Sequence, residues 1–98
     1  MPEDFQISPA TLRRQAETAR EAGFTQLAEN FRRAAELTAV PNENLLKMYE
    51  LLRPGRSTHE ELLALADTLE RDYMASETAA FVREAAAEYL RRGLFRRA

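Results

Sequence analysis

The stretch LLRPGRSTHEELLALADTLE, residues 51–70, contains the sharpest break in the helical pattern of the chain. Pro54 and Gly55 end one apolar helical segment, because proline lacks the amide donor that a helix interior needs and glycine favours turns. Directly afterwards, Ser57 and Glu60 predict a capping box, in which the serine caps the next helix and the glutamate reaches back to it. The stretch therefore predicts two helices joined by a tight turn.

The same start and stop signals predict five helices along the chain. Ser8 is expected to cap the first helix, with Pro9 as its first residue, and Gly23 ends it. Ser76 is expected to cap the last helix and Gly93 to end it. The spacing of apolar residues places the remaining boundaries at residues 25–37, 42–53, 58–72 and 77–92.

Composition is typical of a small helical protein. The chain has 98 residues, of which 31% are charged and 8% aromatic, and no segment alternates as a strand would. We therefore predict an all-α fold with a single compact domain of about five short helices over residues 1–98, with flexible ends at 1–7 and 93–98. The first residues contain no basic or long apolar run, so we expect no signal peptide and no transmembrane helix, and a cytoplasmic location.

The residue inventory argues against catalysis by this chain. It has no cysteine, and the serines that open helices are expected to act as caps. His59 is the only histidine, next to Glu60 and Glu61, and we expect it to be solvated and inert. These three contiguous side chains cannot converge on one metal with good geometry. We therefore predict no catalytic, cofactor-binding or metal-binding residue.

Charge gives no general attraction to nucleic acid, because the formal net charge is −2. The C-terminal arginines are expected to complement a helix dipole and to remain in solvent. A nucleic-acid site would need exposed aromatic residues among them, and the tail offers only Phe95. The arginines concerned are Arg91, Arg92, Arg96 and Arg97.

Arg53 and Arg56 differ from the tail arginines because a tight turn holds them in place. An arginine at a rigid position can make bidentate contacts with a carboxylate or carbonyl group of a partner. The alternative is a pair within the chain, with Glu50 or Glu60. Together with Tyr49 on the preceding helix, these arginines form the candidate subunit interface.

One half of the chain resembles a tetratricopeptide unit. The segment EAGFTQLAENFRRAAELTAVPNE, residues 21–43, has a similar spacing of small and large residues and a closing proline. Only one such unit is visible, whereas repeat arrays need about three for stability. The alternative function that follows is a free-standing helical adaptor that binds a peptide or another helix.

A second resemblance covers residues 7–92. The segments FRRAAELTAVP, LRPGRST, EELLALADTLE and AAFVREAA follow one another in this order. In this arrangement the chain closely resembles the small (gamma) subunit of adenosylcobalamin-dependent diol and glycerol dehydratases.

The resemblance implies a non-catalytic role inside a larger enzyme. In this family the large subunit forms a barrel that holds the substrate, and the corrinoid lies between the large and medium subunits. The small subunit is helical, packs on the outside of the large one and supplies no catalytic group. The assembly, typically a dimer of heterotrimers, converts a 1,2-diol to an aldehyde by radical dehydration. We therefore expect large and medium subunits as partners, adenosylcobalamin only in the complex, and an inactive isolated chain.

The chain departs from the family pattern in three places. Gly55 stands where an aromatic residue is often found, and the tail after Leu90 is richer in arginine than usual. Many members also have a longer N-terminal extension, which this sequence does not show and which has a role in assembly or in packaging into enzyme compartments. We therefore expect a cytoplasmic location first, with a bacterial microcompartment as the alternative. These departures suggest a divergent member of the family, and they leave open whether propanediol, glycerol or another diol is the substrate.

Overall fold

The computed structural model describes residues 7–97, and this part of the chain forms five α-helices without a strand. The predicted all-α class is therefore confirmed, and the predicted boundaries agree within about one residue, the accuracy with which helix ends are defined. No helix in the described range is long and apolar enough to cross a membrane. The helices are α1 Pro9–Glu21, α2 Thr25–Leu37, α3 Asn42–Leu52, α4 His59–Tyr73 and α5 Ser76–Arg92.

The contacts divide the chain into two units, Met1–Thr38 and Ala39–Ala98. The extent of a single domain over residues 1–98 accordingly stays a prediction. Within the first unit, α1 packs against α2. The buried apolar side chains of these two helices are mostly small, which lets helix backbones approach closely: Leu12, Ala16, Ala19, Ala28 and Ala35.

The predicted ends of α1 are confirmed. The Ser8 hydroxyl accepts a hydrogen bond from the Thr11 amide at 3.1 Å, as a helix cap does. At the other end, Gly23 has a φ of +87°, a conformation that costs glycine little. This turn lets the Phe24 amide donate to the Ala19 carbonyl at 2.8 Å, which satisfies a helix-end acceptor.

In the second unit, α4 and α5 form a helical hairpin and α3 packs against α4. The turn between α4 and α5 passes through Met74 in the left-handed region, with a φ of +54°. Alanine is frequent among the buried residues of this unit. Small side chains let the helices pack at short distance, so much of the core consists of close helix–helix contacts. Its buried apolar residues are Val40, Met48, Leu62, Ala66, Leu69, Ala75, Ala79, Val82 and Ala86.

The predicted capping box at Ser57 and Glu60 is wrong by one residue. Thr58 is the cap of α4: its hydroxyl accepts from the Glu61 amide at 3.1 Å, and its own amide donates to the Glu61 carboxylate at 2.8 Å. The capping-box motif fits the sequence in two registers, because Ser57 is followed by Glu60 and Thr58 by Glu61 at the same spacing. Ser57 is left to make a different bond, described below.

The predicted cap at Ser76 is also wrong. Ser76 is the first residue of α5, and Ala75 occupies the cap position without a side-chain hydrogen bond. Ala75 is fully buried and lies next to the left-handed Met74. The tight hairpin between α4 and α5 therefore sets where α5 begins.

Candidate subunit interface

Residues 53–56, called the arginine turn below, follow directly after α3. The Arg53 amide donates to the Glu50 carbonyl at 3.2 Å, and the Arg56 amide donates to the Arg53 carbonyl at 3.1 Å. Gly55 has a φ of +81°, which explains why a residue without a side chain suits this position. The turn is thus tight, as its sequence predicts.

Two side-chain hydroxyls satisfy carbonyls at the C-terminal end of α3. The Ser57 hydroxyl donates to the Leu51 carbonyl at 2.8 Å, and Ser57 is itself buried. The Tyr89 hydroxyl, from α5, donates to the Leu52 carbonyl at 2.6 Å. Because a helix end leaves its last carbonyls without internal partners, these two bonds fix α3 to the residues around the turn.

Arg53 and Arg56 both pair with the same carboxylate, that of Glu50. The guanidinium of Arg53 lies 3.3 Å from one carboxylate oxygen and that of Arg56 lies 3.5 Å from the other. The pairing within the chain that we weighed as an alternative thus occurs, with Glu50. The arginine side chains nevertheless stay 62% and 52% exposed, and their contact with a partner stays a prediction.

Tyr49 lies on the solvent-facing side of α3, one helical turn before Arg53. It is 54% exposed, and Leu46, on the same face, is 71% exposed, whereas Met48 is 3% exposed. The opposite side of α3 borders an apolar groove of about 360 Å³ that includes Met48 and Leu51. The apolar residues of α3 therefore divide between the core and an exposed face. Leu46 lies on this exposed face with Tyr49 but was not among the interface residues predicted from the sequence.

We expected flexible ends at 1–7 and 93–98; residues 1–6 and 98 lie outside the described part of the chain, whereas residues after α5 contact the rest of the second unit. The Leu94 carbonyl accepts from the Gly55 amide at 2.7 Å, and the Arg96 amide donates to the Ser57 carbonyl at 2.7 Å. The Arg96 guanidinium lies 3.3 Å from the Glu61 carboxylate. Residues 94–97, called the tail below, are thus joined to the arginine turn, although no pattern within the turn itself points to this partner.

Aromatic packing explains how the tail is held. The Phe95 ring meets His59 edge to face with centroids 5.4 Å apart, and meets Tyr89 in the same manner at 5.8 Å. A signal for this contact exists in the sequence, because an apolar residue soon after a helix-ending glycine often packs back on its helix. Leu94 and Phe95 follow Gly93 in this way.

The expectation that His59 is solvated is therefore wrong. Its side chain is half-buried and packs against Phe95. A T-shaped contact of this kind between the two rings stabilises the tail. In residues 7–97 no group of three histidine, cysteine, aspartate or glutamate side chains could hold a metal ion.

Two glutamates of the second unit, Glu61 and Glu88, have lowered pKa values. The pKa of Glu61 is lowered chiefly by the Thr58 amide, which donates to its carboxylate, and also by the positive charge of Arg96. The pKa of Glu88 is lowered first by its hydrogen bond with Arg91 and also by the charge of Arg92. Both carboxylates are thus ionised partners of arginines at neutral pH.

The described residues thus define a helical chain with an exposed apolar and basic edge, a surface suited to contact with another protein. The family model for the dehydratase small subunit matches residues 1–96. The chain belongs to the dehydratase small-subunit family, which confirms the resemblance found in the sequence.

Two curated relatives are similar over most of the chain. They are the propanediol dehydratase small subunits of Citrobacter freundii and of Salmonella typhimurium (strain LT2). Each is 59% identical over 90 residues, which is 92% of this chain and 52% of the relative. The chain therefore spans about half the length of the curated relatives that it matches.

Proposed function

We propose that the chain is the non-catalytic small subunit of an adenosylcobalamin-dependent diol or glycerol dehydratase. In this role it assembles with a large and a medium subunit, as a dimer of heterotrimers, and stabilises the complex that dehydrates a 1,2-diol to an aldehyde. The single observation that carries the proposal is the family match over residues 1–96. The identity of 59% to two propanediol dehydratase small subunits supports a diol as the substrate of the complex.

The proposed interface with the large subunit consists of Tyr49, Arg53 and Arg56, extended by Leu46. Large apolar side chains exposed side by side lose contact with water when a partner covers them, which favours association. The arginine turn is held by bonds to both flanks, so little freedom is lost when its side chains are ordered on binding. Arginine and tyrosine are also the residue types enriched where interface energy concentrates.

The residues of this chain do not fit a corrinoid site. His59 is its only imidazole, and this ring packs against Phe95 rather than lining the apolar groove beside α3. We therefore assign the cofactor and the chemistry to the partner subunits. What this chain supplies is a surface.

Co-purification tests the proposal. The chain, tagged, is co-expressed with the large and medium dehydratase subunits encoded beside its own gene, and the eluate is analysed by size-exclusion chromatography. We expect one complex containing all three chains, with adenosylcobalamin-dependent diol dehydratase activity. A chain that elutes folded and alone in the presence of both subunits would instead support the helical adaptor.

A further inference from the structure

The arginine turn and the tail form one continuous surface in the second unit. One backbone hydrogen bond joins them directly, from the Gly55 amide to the Leu94 carbonyl, and a second runs from the Arg96 amide to the carbonyl of Ser57, the residue after the turn, each at 2.7 Å. A third contact, from the Arg96 guanidinium to the Arg56 carbonyl, measures 3.4 Å. Neither segment can therefore move far without the other.

Positive charge exceeds negative charge around this surface. The Glu50 carboxylate pairs with both Arg53 and Arg56. In the same way, the Glu88 carboxylate, near the end of α5, pairs with both Arg91 and Arg92. In each cluster one carboxylate faces two guanidinium groups, so each cluster keeps a surplus positive charge.

The tail adds further positive charge. Arg96 is balanced by Glu61. Arg97 is exposed and makes no ion pair with any residue in the range 7–97. Glu60, beside the cap of α4 in the sequence, adds a negative charge. The surplus is thus local, in a chain whose net charge is −2.

These arginines can accept an outside partner at little cost. The side chains of Arg53, Arg56 and Arg96 are 62%, 52% and 51% exposed, and their ion-pair distances lie between 3.3 and 3.5 Å. Exposed pairs of this kind contribute little to stability. Each guanidinium also has five N–H donors. A carboxylate that is shared between two arginines cannot accept hydrogen bonds from all of them, so donors remain for a partner.

We propose that the arginine turn and the tail together form a basic docking surface for a carboxylate-rich patch on the large dehydratase subunit. This rests on the proposed function and adds the tail and the chemistry of the partner to it. Charge complementarity carries the choice of partner, because opposite potentials steer and orient protein association. Nucleic acid fits the surface less well, since Phe95 already packs against both Tyr89 and His59 and is not presented as a free platform for base stacking.

Charge reversal of Arg97 is the sharpest test. Arg97 makes no ion pair within the described residues, so Arg97→Glu leaves the internal contacts of the tail in place. Arg71→Glu is the matched control, because Arg71 is an exposed arginine on α4 that pairs with Asp72. Binding of each tagged chain to the co-expressed large and medium subunits is measured as a dissociation constant at two salt concentrations.

For Arg97→Glu we expect binding weakened by about tenfold or more in about 50 mM NaCl, and for Arg71→Glu a change of less than about twofold. The loss should shrink in about 300 mM NaCl, where screening is stronger. Arg97→Lys, which keeps the charge, should bind nearly as well as the unaltered chain.

The outcomes separate the two proposals. If the unaltered chain binds the subunits and Arg97→Glu binds as well as Arg71→Glu, the docking surface is wrong and the proposed function stands. If the unaltered chain does not bind the subunits, the proposed function fails and the docking surface falls with it. Salt-sensitive binding to a duplex oligonucleotide that Arg97→Glu abolishes, while subunit binding is unaffected, would assign the surface to nucleic acid instead.

Discussion

At the scale of single residues, substitution of Arg53 and Arg56 distinguishes a contribution to folding from a contribution to docking. Both pair with Glu50 while staying largely exposed, so truncation of both should change the free energy of unfolding of the free chain by less than about 1 kcal/mol. Truncation of an arginine that is central to an interface costs about 2 kcal/mol or more in binding. We expect the double variant Arg53→Ala with Arg56→Ala to weaken assembly by that amount.

The measurement is the dissociation constant of the tagged chain with the large and medium subunits. Arg20→Ala is a suitable control, since Arg20 is an exposed arginine of α1 that pairs with Glu17. If the double variant binds with the unaltered dissociation constant, the arginine turn is only a connector between α3 and α4.

His59 is a second residue whose role depends on its surroundings. Its edge-to-face contact with Phe95 leads us to expect that His59→Ala lowers the free energy of unfolding by about 0.5–1.5 kcal/mol. Thermal unfolding followed by circular dichroism measures this loss, because each kcal/mol lowers the midpoint temperature of unfolding by about 4–8 °C in a chain of this size. His59→Phe keeps a ring and should lose less, whereas turnover of an assembled enzyme should not change in either variant.

At the scale of elements, the caps of α4 and α5 provide a matched pair. Thr58 caps α4 through its hydroxyl, and Ser76 caps nothing. We therefore expect Thr58→Ala to destabilise the chain by about 0.5–2 kcal/mol and Ser76→Ala to change stability by less than about 0.5 kcal/mol. Denaturant unfolding of both variants compares them directly, and equal losses would contradict the assignment of Thr58 as a stabilising cap and of Ser76 as a residue without that role.

The same cap makes the stability of α4 depend on pH. The pKa of Glu61 is lowered in the folded chain, first by the amide of Thr58 and also by Arg96. A carboxyl with a lowered pKa adds stability above its unfolded pKa, and that stability is lost as the pH falls through the folded pKa.

Acidification of the variant Glu61→Gln tests this dependence. Glutamine can still reach back to the cap but carries no charge to titrate. Between about pH 6 and about pH 3, the midpoint of thermal unfolding should fall more steeply for the unaltered chain than for Glu61→Gln. Parallel curves would show that Glu61 does not contribute through its charge.

At the scale of the whole molecule, we expect the purified chain to be inactive and to bind no adenosylcobalamin. Its only imidazole is engaged with Phe95, and the neighbouring carboxylates of Asp67 and Glu70 are both paired with Arg83 rather than left free for acid–base catalysis. Titration with adenosylcobalamin, followed by absorbance, checks this, with the complex of all three subunits as the positive control. Stoichiometric binding to the isolated chain would contradict the assignment of the cofactor to the partners.

The sequence by itself determined the helices and the family. Caps, stops and apolar spacing act over three or four residues, so Pro9, Gly23 and Pro54 mark boundaries without knowledge of the fold. The register of the capping box could not be read as reliably, because Ser57 and Thr58 both satisfy its pattern. Arg53 and Arg56 could be selected as interface candidates from the rigidity of the turn, and Tyr49 from the excess of apolar residues on α3; their contact with a partner stays a prediction.

Only the tertiary structure decided what surrounds those candidates. Ser57 bonds to Leu51 across the turn, and Tyr89 bonds to Leu52 from 37 positions away in the sequence. The tail reaches the turn in the same way, since Arg96 contacts a carbonyl 40 positions before it. Such contacts leave little trace in local patterns, because each forms only after packing has brought two distant segments within hydrogen-bonding distance.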